Sequence, residues 1–135
     1  MTERGSGASV VVALRDEHDI ALARREVAKA CDRLKAGALR KVRFITAVSE
    51  IVRNAVDHGG GGQIEIDVDQ ANKMITVRCT DTGPGIPDMD LAMKDGYSSA
   101  RSMGKGLGGA KRLVDRFRIE NRPEGGIEIW MSSRL

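Results

Sequence analysis

The sequence predicts an α+β fold in two layers, with a mixed, mostly antiparallel sheet covered on one face by helices. Apolar residues recur at helical spacing through residues 19–37 and 39–58. The period then changes to two in residues 63–70 and 73–81, which is typical of strands with one buried face. Residues 117–135 alternate in the same way on both sides of a glycine-containing turn and predict a closing hairpin.

The N-terminal part of the chain predicts a strand followed by two helices. Residues 8–15, "ASVVVALR", are rich in valine and predict a short strand. Asp16 is expected to cap the first helix, which we expect Gly37 to end. The second helix is predicted from Leu39 to His58, and four glycines follow it. Its apolar stripe consists of Phe44, Val48, Ile51 and Ala55.

Length, charge and composition limit the classes of protein to which the chain can belong. The 135 residues correspond to one domain, residues 1–8 of which are predicted to be flexible. No apolar run reaches the roughly 20 residues of a membrane span, and no signal peptide is recognisable. The net charge of +3 is mild, aromatic residues make up 3%, and Asp115 interrupts the basic run 111–118. We therefore expect neither a membrane nor a nucleic-acid partner. The two widely separated cysteines favour a reduced, cytoplasmic protein.

A glycine-rich segment, "GKGLGG", matches G-x-G-x-x-G at Gly104, Gly106 and Gly109. A dinucleotide-binding interpretation requires a preceding strand and a βαβ unit, but a polar segment precedes these glycines and a hairpin follows. A Walker-type P-loop is excluded because no Ser or Thr follows the lysine. Two interpretations remain, a flexible loop at an ordinary helix start or an anion site at the N-terminus of a helix, where Arg101 and Lys105 would add positive charge.

Three further features carry residue types suited to chemistry. Glu50, Asn54 and His58 recur every four residues on one side of the second helix. This stripe is either solvated, or Glu50 polarises a hydroxyl while the Asn54 oxygen serves as a hard metal ligand. Strand alternation directs the Asp81 carboxylate inward, where it would either cap the next turn or bind an amino group such as that of adenine. The following "DTGPGIPD" combines flexible glycines with prolines that stiffen the loop.

Together, "SEIVRNAVDHG", "DTGPGIPD" and "GKGLGG" resemble the N-box and the two glycine boxes of the GHKL superfamily, whose ATP-binding domain is the Bergerat fold. The chain is most similar in pattern to the small stand-alone members, the RsbT-type anti-sigma-factor-like serine/threonine kinases. The resemblance covers about residue 10 to the C-terminus and implies ATP and Mg²⁺ as cofactors.

The resemblance also implies roles for individual residues. Glu50 would be the general base that draws a proton from the attacking serine hydroxyl, and Asn54 would bind Mg²⁺. Asp81 would accept a hydrogen bond from the adenine amino group. Either Arg101 or Lys105 would reach the γ-phosphate. The implied ATP-binding residues are Asn54, His58, Asp81, Gly83, Gly85, Ile86, Arg101, Gly104, Lys105, Gly106 and Leu107.

The partners implied by the resemblance are a STAS-domain antagonist as the substrate and a PP2C-type phosphatase that the released kinase activates. One alternative is an anti-sigma factor that binds a sigma factor directly. The other is a catalytically weak, ATP-gated binding module. This last alternative rests on Ile127, which occupies the position where the family commonly has a Thr that supports the adenine-binding Asp through water.

Overall fold

The computed structural model describes residues 9–93 and 106–135. The segment 1–8, predicted to be flexible, and the predicted site residues Arg101, Gly104 and Lys105 lie outside this described part. The elements are β1 (Ser9–Leu14), α1 (Glu17–Arg33), α2 (Ala38–Asp57), β2 (Gly62–Asp69), β3 (Met74–Asp81), α3 (Met89–Ala92), α4 (Leu107–Arg112), β4 (Arg116–Asn121) and β5 (Ile127–Arg134).

The five strands form one sheet in the order β1-β2-β3-β5-β4. Register places Ile66 opposite Val77, and Val77 opposite Met131 on the other side. The predicted α+β fold is therefore confirmed. All four pairings between the described strands are antiparallel, so the parallel pair that a mixed sheet would contain is not among them.

The core lies between one face of the sheet and the helices, as the apolar patterns predict. Phe44, Val48 and Ile51 of α2 are fully buried against inward-facing strand residues such as Ile75 and Ile129. Each such side chain contributes about 1.5–3 kcal/mol by leaving water. The same alternation directs Asp81, the polar last residue of β3, toward the buried face.

The opposite face of the sheet is polar, also as predicted. Arg78 forms ion pairs with Glu65 and Glu128 across the neighbouring strands. Trp130 lies on this face, half-buried, with the Arg118 guanidinium carbon 4.3 Å from its ring centroid. The distance is that of a cation–π contact, which holds Arg118 against the exposed side of the sheet.

The helix boundaries agree with the sequence except at the end of α1. Asp16 caps α1 as predicted, because its side chain accepts the N–H of His18 at 3.0 Å. The prediction that Gly37 ends this helix was wrong. Lys35 takes the left-handed conformation (φ 57°) after α1, and Gly37 begins α2 with extended backbone. Among residues 9–93 and 106–135, no helix is both long and apolar enough to cross a membrane.

Both cysteines are free and buried in the core. Burial raises the pKa of Cys31 to about 11, and it also raises the pKa of Cys79. Because the thiolate is the nucleophilic form, neither side chain is suited to covalent catalysis near neutral pH.

A buried carboxylate at the start of α1 gives a testable pH dependence. Asp19 accepts hydrogen bonds from Arg15, through its backbone N–H at 2.8 Å and its side-chain Nε at 3.1 Å, and these lower the pKa of Asp19 from 3.8. We expect Asp19→Asn to reduce stability at pH 7. This loss should disappear as the pH falls below 3.8 and through the lower folded-state pKa, because wild type then also loses its charge.

Urea unfolding of both proteins between pH 2 and pH 7 tests this expectation. Asp16→Asn is the matched control, since an asparagine oxygen can still cap α1. Equal stability of wild type and Asp19→Asn at pH 7, or a difference that persists unchanged to pH 2, would contradict it.

Candidate functional site

A narrow pocket forms where the C-terminal half of α2, the end of β3 and the loop after β3 meet. The antiparallel sheet carries β5 past the same point, so the start of β5 closes one side. The residues that line the pocket are Asn54, Gly59, Asp81, Pro84, Gly85, Ile86 and Ile127. Four residues predicted for the site, Asn54 from one sequence segment and Asp81, Gly85 and Ile86 from another, are therefore brought together.

Asp81 ends β3 and points inward, as strand alternation predicts. The side chain is 4% exposed, and its Oδ1 accepts the backbone N–H groups of Gly83 at 3.1 Å and Ile127 at 3.2 Å. Burial raises the pKa of the carboxyl, while these N–H donors and the charge of Arg122 oppose the rise. The turn-capping role and a ligand-binding role are thus compatible, because the cap uses Oδ1 and leaves Oδ2.

Glycine is required where the backbone packs against Asp81. A Cβ at Gly59 would lie 2.6 Å from Oδ2 of Asp81, and one at Gly83 would lie 2.7 Å from the Cα of Gly59. Both distances are shorter than real Cβ contacts allow. The glycines after α2 and in the loop after β3 therefore let two backbone segments close around the carboxylate.

Ile127 supports Asp81 through its backbone. Its N–H donates directly to Oδ1, and its side chain is buried in the pocket wall. The carboxylate therefore has a donor from β5 without a hydroxyl at position 127.

Two residues of the β4–β5 hairpin hold the site, and sequence reasoning missed both. The Asn121 side chain accepts the N–H of Ile86 at 2.9 Å and donates to its carbonyl oxygen at 3.1 Å. Arg122 Nη1 donates to the carbonyl oxygen of Asp81 at 2.6 Å. In the sequence, Asn121 and Arg122 are only a polar pair after an alternating apolar stretch, a pattern that equally indicates the start of a turn.

Asn54 carries an orphaned polar atom. The residue is 5% exposed, and its Oδ1 has no hydrogen-bond partner among residues 9–93 and 106–135. A buried unsatisfied oxygen costs about 1–3 kcal/mol, so a ligand that coordinates it is a physical reason for its presence. Within residues 9–93 and 106–135, no cluster of three or more His, Cys, Asp or Glu side chains is arranged to hold a metal. An amide oxygen is a hard ligand of the kind that Mg²⁺ takes, so Asn54 could hold such a cation together with oxygens of a bound ligand.

Glu50 lies one turn before Asn54 on α2 and faces the start of α4. Gly106, with φ 86°, caps α4, and a Cβ at this residue would overlap Oε1 of Glu50. Leu107, the first residue of α4, is fully buried, so the core anchors this end of the helix. The start of α4 and the Glu50 carboxylate thus lie in direct proximity.

His58 follows α2 as its C-cap, is half-buried, and is not among the residues that line the pocket. Gly83 is not a lining residue either; its backbone N–H donates to Asp81. The arrangement as a whole offers an acceptor on a buried carboxylate, a hard oxygen on an amide, an apolar wall and a nearby second carboxylate. These groups suit a ligand that combines a flat polar ring with a metal-bound anion.

Comparison with known proteins agrees with the geometry. Residues 40–135 match the family described as Histidine kinase-, DNA gyrase B-, and HSP90-like ATPase. The chain belongs to this ATPase family, which confirms the predicted GHKL superfamily and ATP use.

The chain is 38% identical to the serine/threonine-protein kinase RsbT of Bacillus subtilis over 87% of its length and 90% of that protein. It is 34% identical to an anti-sigma F factor of Clostridium novyi over 67% of its length and 68% of that protein. A histidine-protein kinase of Streptomyces coelicolor, AfsQ2, shares 33% identity over 62% of the chain but only 18% of the kinase. These similarities confirm the predicted RsbT-like class, a serine/threonine protein kinase.

Proposed function

We propose that this chain is an ATP- and Mg²⁺-dependent serine/threonine kinase of a partner-switching module. Its substrate is a STAS-domain antagonist protein, and the released kinase binds and activates a PP2C-type phosphatase in the cytoplasm. The observation that carries the proposal is the meeting of the orphaned Asn54 oxygen and the buried Asp81 in one pocket, with Glu50 one helical turn away. Similarity to RsbT over most of the chain supports the switching role.

Each residue of the pocket contacts a different part of ATP in this proposal. Asp81 accepts a hydrogen bond from the adenine amino group, and Ile86 and Ile127 pack against the ring. Gly83 and Gly85 allow the loop backbone to approach it. Asn54 holds Mg²⁺, which when bound neutralises phosphate charge. Backbone N–H groups of residues 104–107, the sequence that leads into α4, would contact the phosphates, and either Arg101 or Lys105 would add a cation. His58, four residues after Asn54 on the same side of α2, completes the proposed nucleotide-binding set.

Glu50 acts on the protein substrate. Its carboxylate takes the proton from a serine or threonine hydroxyl as that oxygen bonds to the γ-phosphorus, and the bond from the γ-phosphorus to the bridging oxygen breaks to release ADP. The phosphoryl group ends on the substrate hydroxyl and the proton on Glu50.

We expect the purified chain to transfer phosphate from Mg-ATP to a STAS-domain protein, and EDTA to abolish the transfer because the Asn54 site then holds no cation. Incubation with γ-labelled ATP and mass spectrometry of the STAS protein measure the product. A substrate variant with Ala at the modified residue is the control. ATP binding without transfer to any STAS-domain protein tested would overturn the kinase proposal.

A second candidate function is direct binding of a sigma factor, favoured by the similarity to anti-sigma F factors over 67% of the chain. Affinity capture with the tagged chain, followed by mass spectrometry, separates the two. Recovery of a sigma factor favours the anti-sigma role, and recovery of a STAS protein or a PP2C-type phosphatase favours the switch kinase. A catalytically weak ATP-gated module would bind these partners with normal ATP affinity and no turnover.

A further inference from the structure

The first half of α2 carries an exposed apolar patch outside the pocket. Leu39 is 72% exposed and Val42 is 59% exposed, the two highest values for large hydrophobic residues within residues 9–90 and 106–135. They are three residues apart and therefore adjacent on the helix surface. Scattered exposed apolar residues are ordinary, so the neighbours of this pair decide whether it is a surface with a role.

The patch continues along the helix to Glu50. Steps of four, three and four residues connect Leu39, Arg43, Thr46 and Glu50, which places all four on one side of α2. Arg43 and Thr46 are exposed. At 1.5 Å per residue, Leu39 lies about 16 Å from Glu50 along the helix axis. We define the α2 patch as Leu39, Val42, Arg43 and Thr46.

Helix α4 forms a wall beside the patch. Its start lies against Glu50 at Gly106, and near its end the Arg112 carbonyl oxygen accepts a hydrogen bond from Arg43 Nη2 at 3.3 Å. Helix α4 therefore runs antiparallel to α2, from the proposed base toward the patch. A segment bound along this wall would be directed toward Glu50.

The charge around the patch is positive. Arg40, Lys41 and Arg43 are the charged residues of α2 before Glu50, and α2 has no acidic residue in its first turn and no side-chain cap. Asp115 pairs with Arg40 and Asp32 pairs with Lys41, whereas the contact that Arg43 makes within the described part of the chain is with a carbonyl oxygen, which does not neutralise its charge. Lys111, the residue before Arg112 on α4, is also cationic and exposed. A complementary surface would therefore be apolar and acidic.

We propose that the α2 patch docks the protein substrate, by binding a segment that presents acidic side chains beside apolar ones and so delivers the hydroxyl to Glu50. This inference rests on the proposed kinase function. A second copy of the chain does not suit the patch, because a two-fold symmetric contact would bring cationic patches together.

Steady-state kinetics at varied concentration of a STAS-domain protein that wild type phosphorylates tests the docking surface. We expect Leu39→Asp and Val42→Asp to raise KM for the protein about tenfold or more, as for removal of a central interface contact, with kcat and ATP affinity unchanged. Leu39→Asp retains the fold because acidic residues are favourable in the first turn of a helix. Val11→Asp, at a valine 56% exposed on the other face of the sheet, is the matched control and should keep the wild-type KM.

The outcomes separate this inference from the proposed function. Wild-type transfer with an unchanged KM in Leu39→Asp and Val42→Asp overturns the docking surface alone, as does an equal rise in Val11→Asp. A fall in kcat with unchanged KM also overturns it, since that places the defect in the chemical step. A wild-type chain that binds ATP but phosphorylates no STAS-domain protein overturns the proposed function, and this inference with it.

Discussion

Glu50→Gln is expected to lower the rate of phosphoryl transfer by about 10²–10⁴-fold, the usual contribution of a general base, while ATP affinity stays within about twofold of wild type. Glutamine has the size of glutamate and fits beside Gly106, so the packing at the start of α4 is retained. The amide cannot take the proton from the substrate hydroxyl. Single-turnover transfer and calorimetric ATP binding measure the two effects separately.

Glu26→Gln is the control for this experiment, because it makes the same chemical change on α1, away from the pocket. Transfer by Glu50→Gln at a near-normal rate would show that Glu50 is not the base. Loss of ATP binding together with transfer would show instead that Glu50 supports the nucleotide site.

Asp81→Asn is expected to weaken ATP binding by roughly 10- to 150-fold, since a hydrogen bond to a charged group contributes about 1.5–3 kcal/mol. The variant should retain or gain stability. An asparagine oxygen can still accept the N–H groups of Gly83 and Ile127, and the amide avoids the burial that raises the pKa of Asp81. A group whose pKa is raised by folding disfavours the folded state when it ionises at neutral pH, so removal of the charge is favourable.

Asp115→Asn is a control for which the expected change in stability has the opposite sign. The Arg134 N–H and the Arg40 guanidinium lower the pKa of Asp115, so its neutral replacement should lower stability and leave ATP affinity unchanged. Isothermal titration with ATP and thermal unfolding give both quantities. If Asp81→Asn binds ATP with wild-type affinity, Asp81 does not make the proposed adenine contact. If its unfolding midpoint is lowered, loss of folded structure explains the weaker binding.

Much of the site was predictable because its residues follow local periods. Two-residue alternation in β3 directs Asp81 to the same face as Val77 and Cys79, and the core then buries it. The four-residue spacing on α2 places Glu50 and Asn54 on adjacent turns of one helix. The roles of these residues nonetheless remain proposals, and those of Arg101, Gly104 and Lys105 concern residues outside the described part of the chain.

The sequence by itself determined the aliphatic core, the one-sided cover of the sheet and the inward direction of Asp81, since each depends on residue type and local spacing. Tertiary structure alone decided that Asn121 and Arg122 hold the loop after β3, that Ile127 donates to Asp81, and that α4 lies against Glu50. The physical reason is chain separation. The hairpin contacts join residues 35 to 46 positions apart, and strand order and register, which no local period encodes, bring them within hydrogen-bond distance. The contact of α4 with Glu50 spans 56 positions and depends on the packing of two helices.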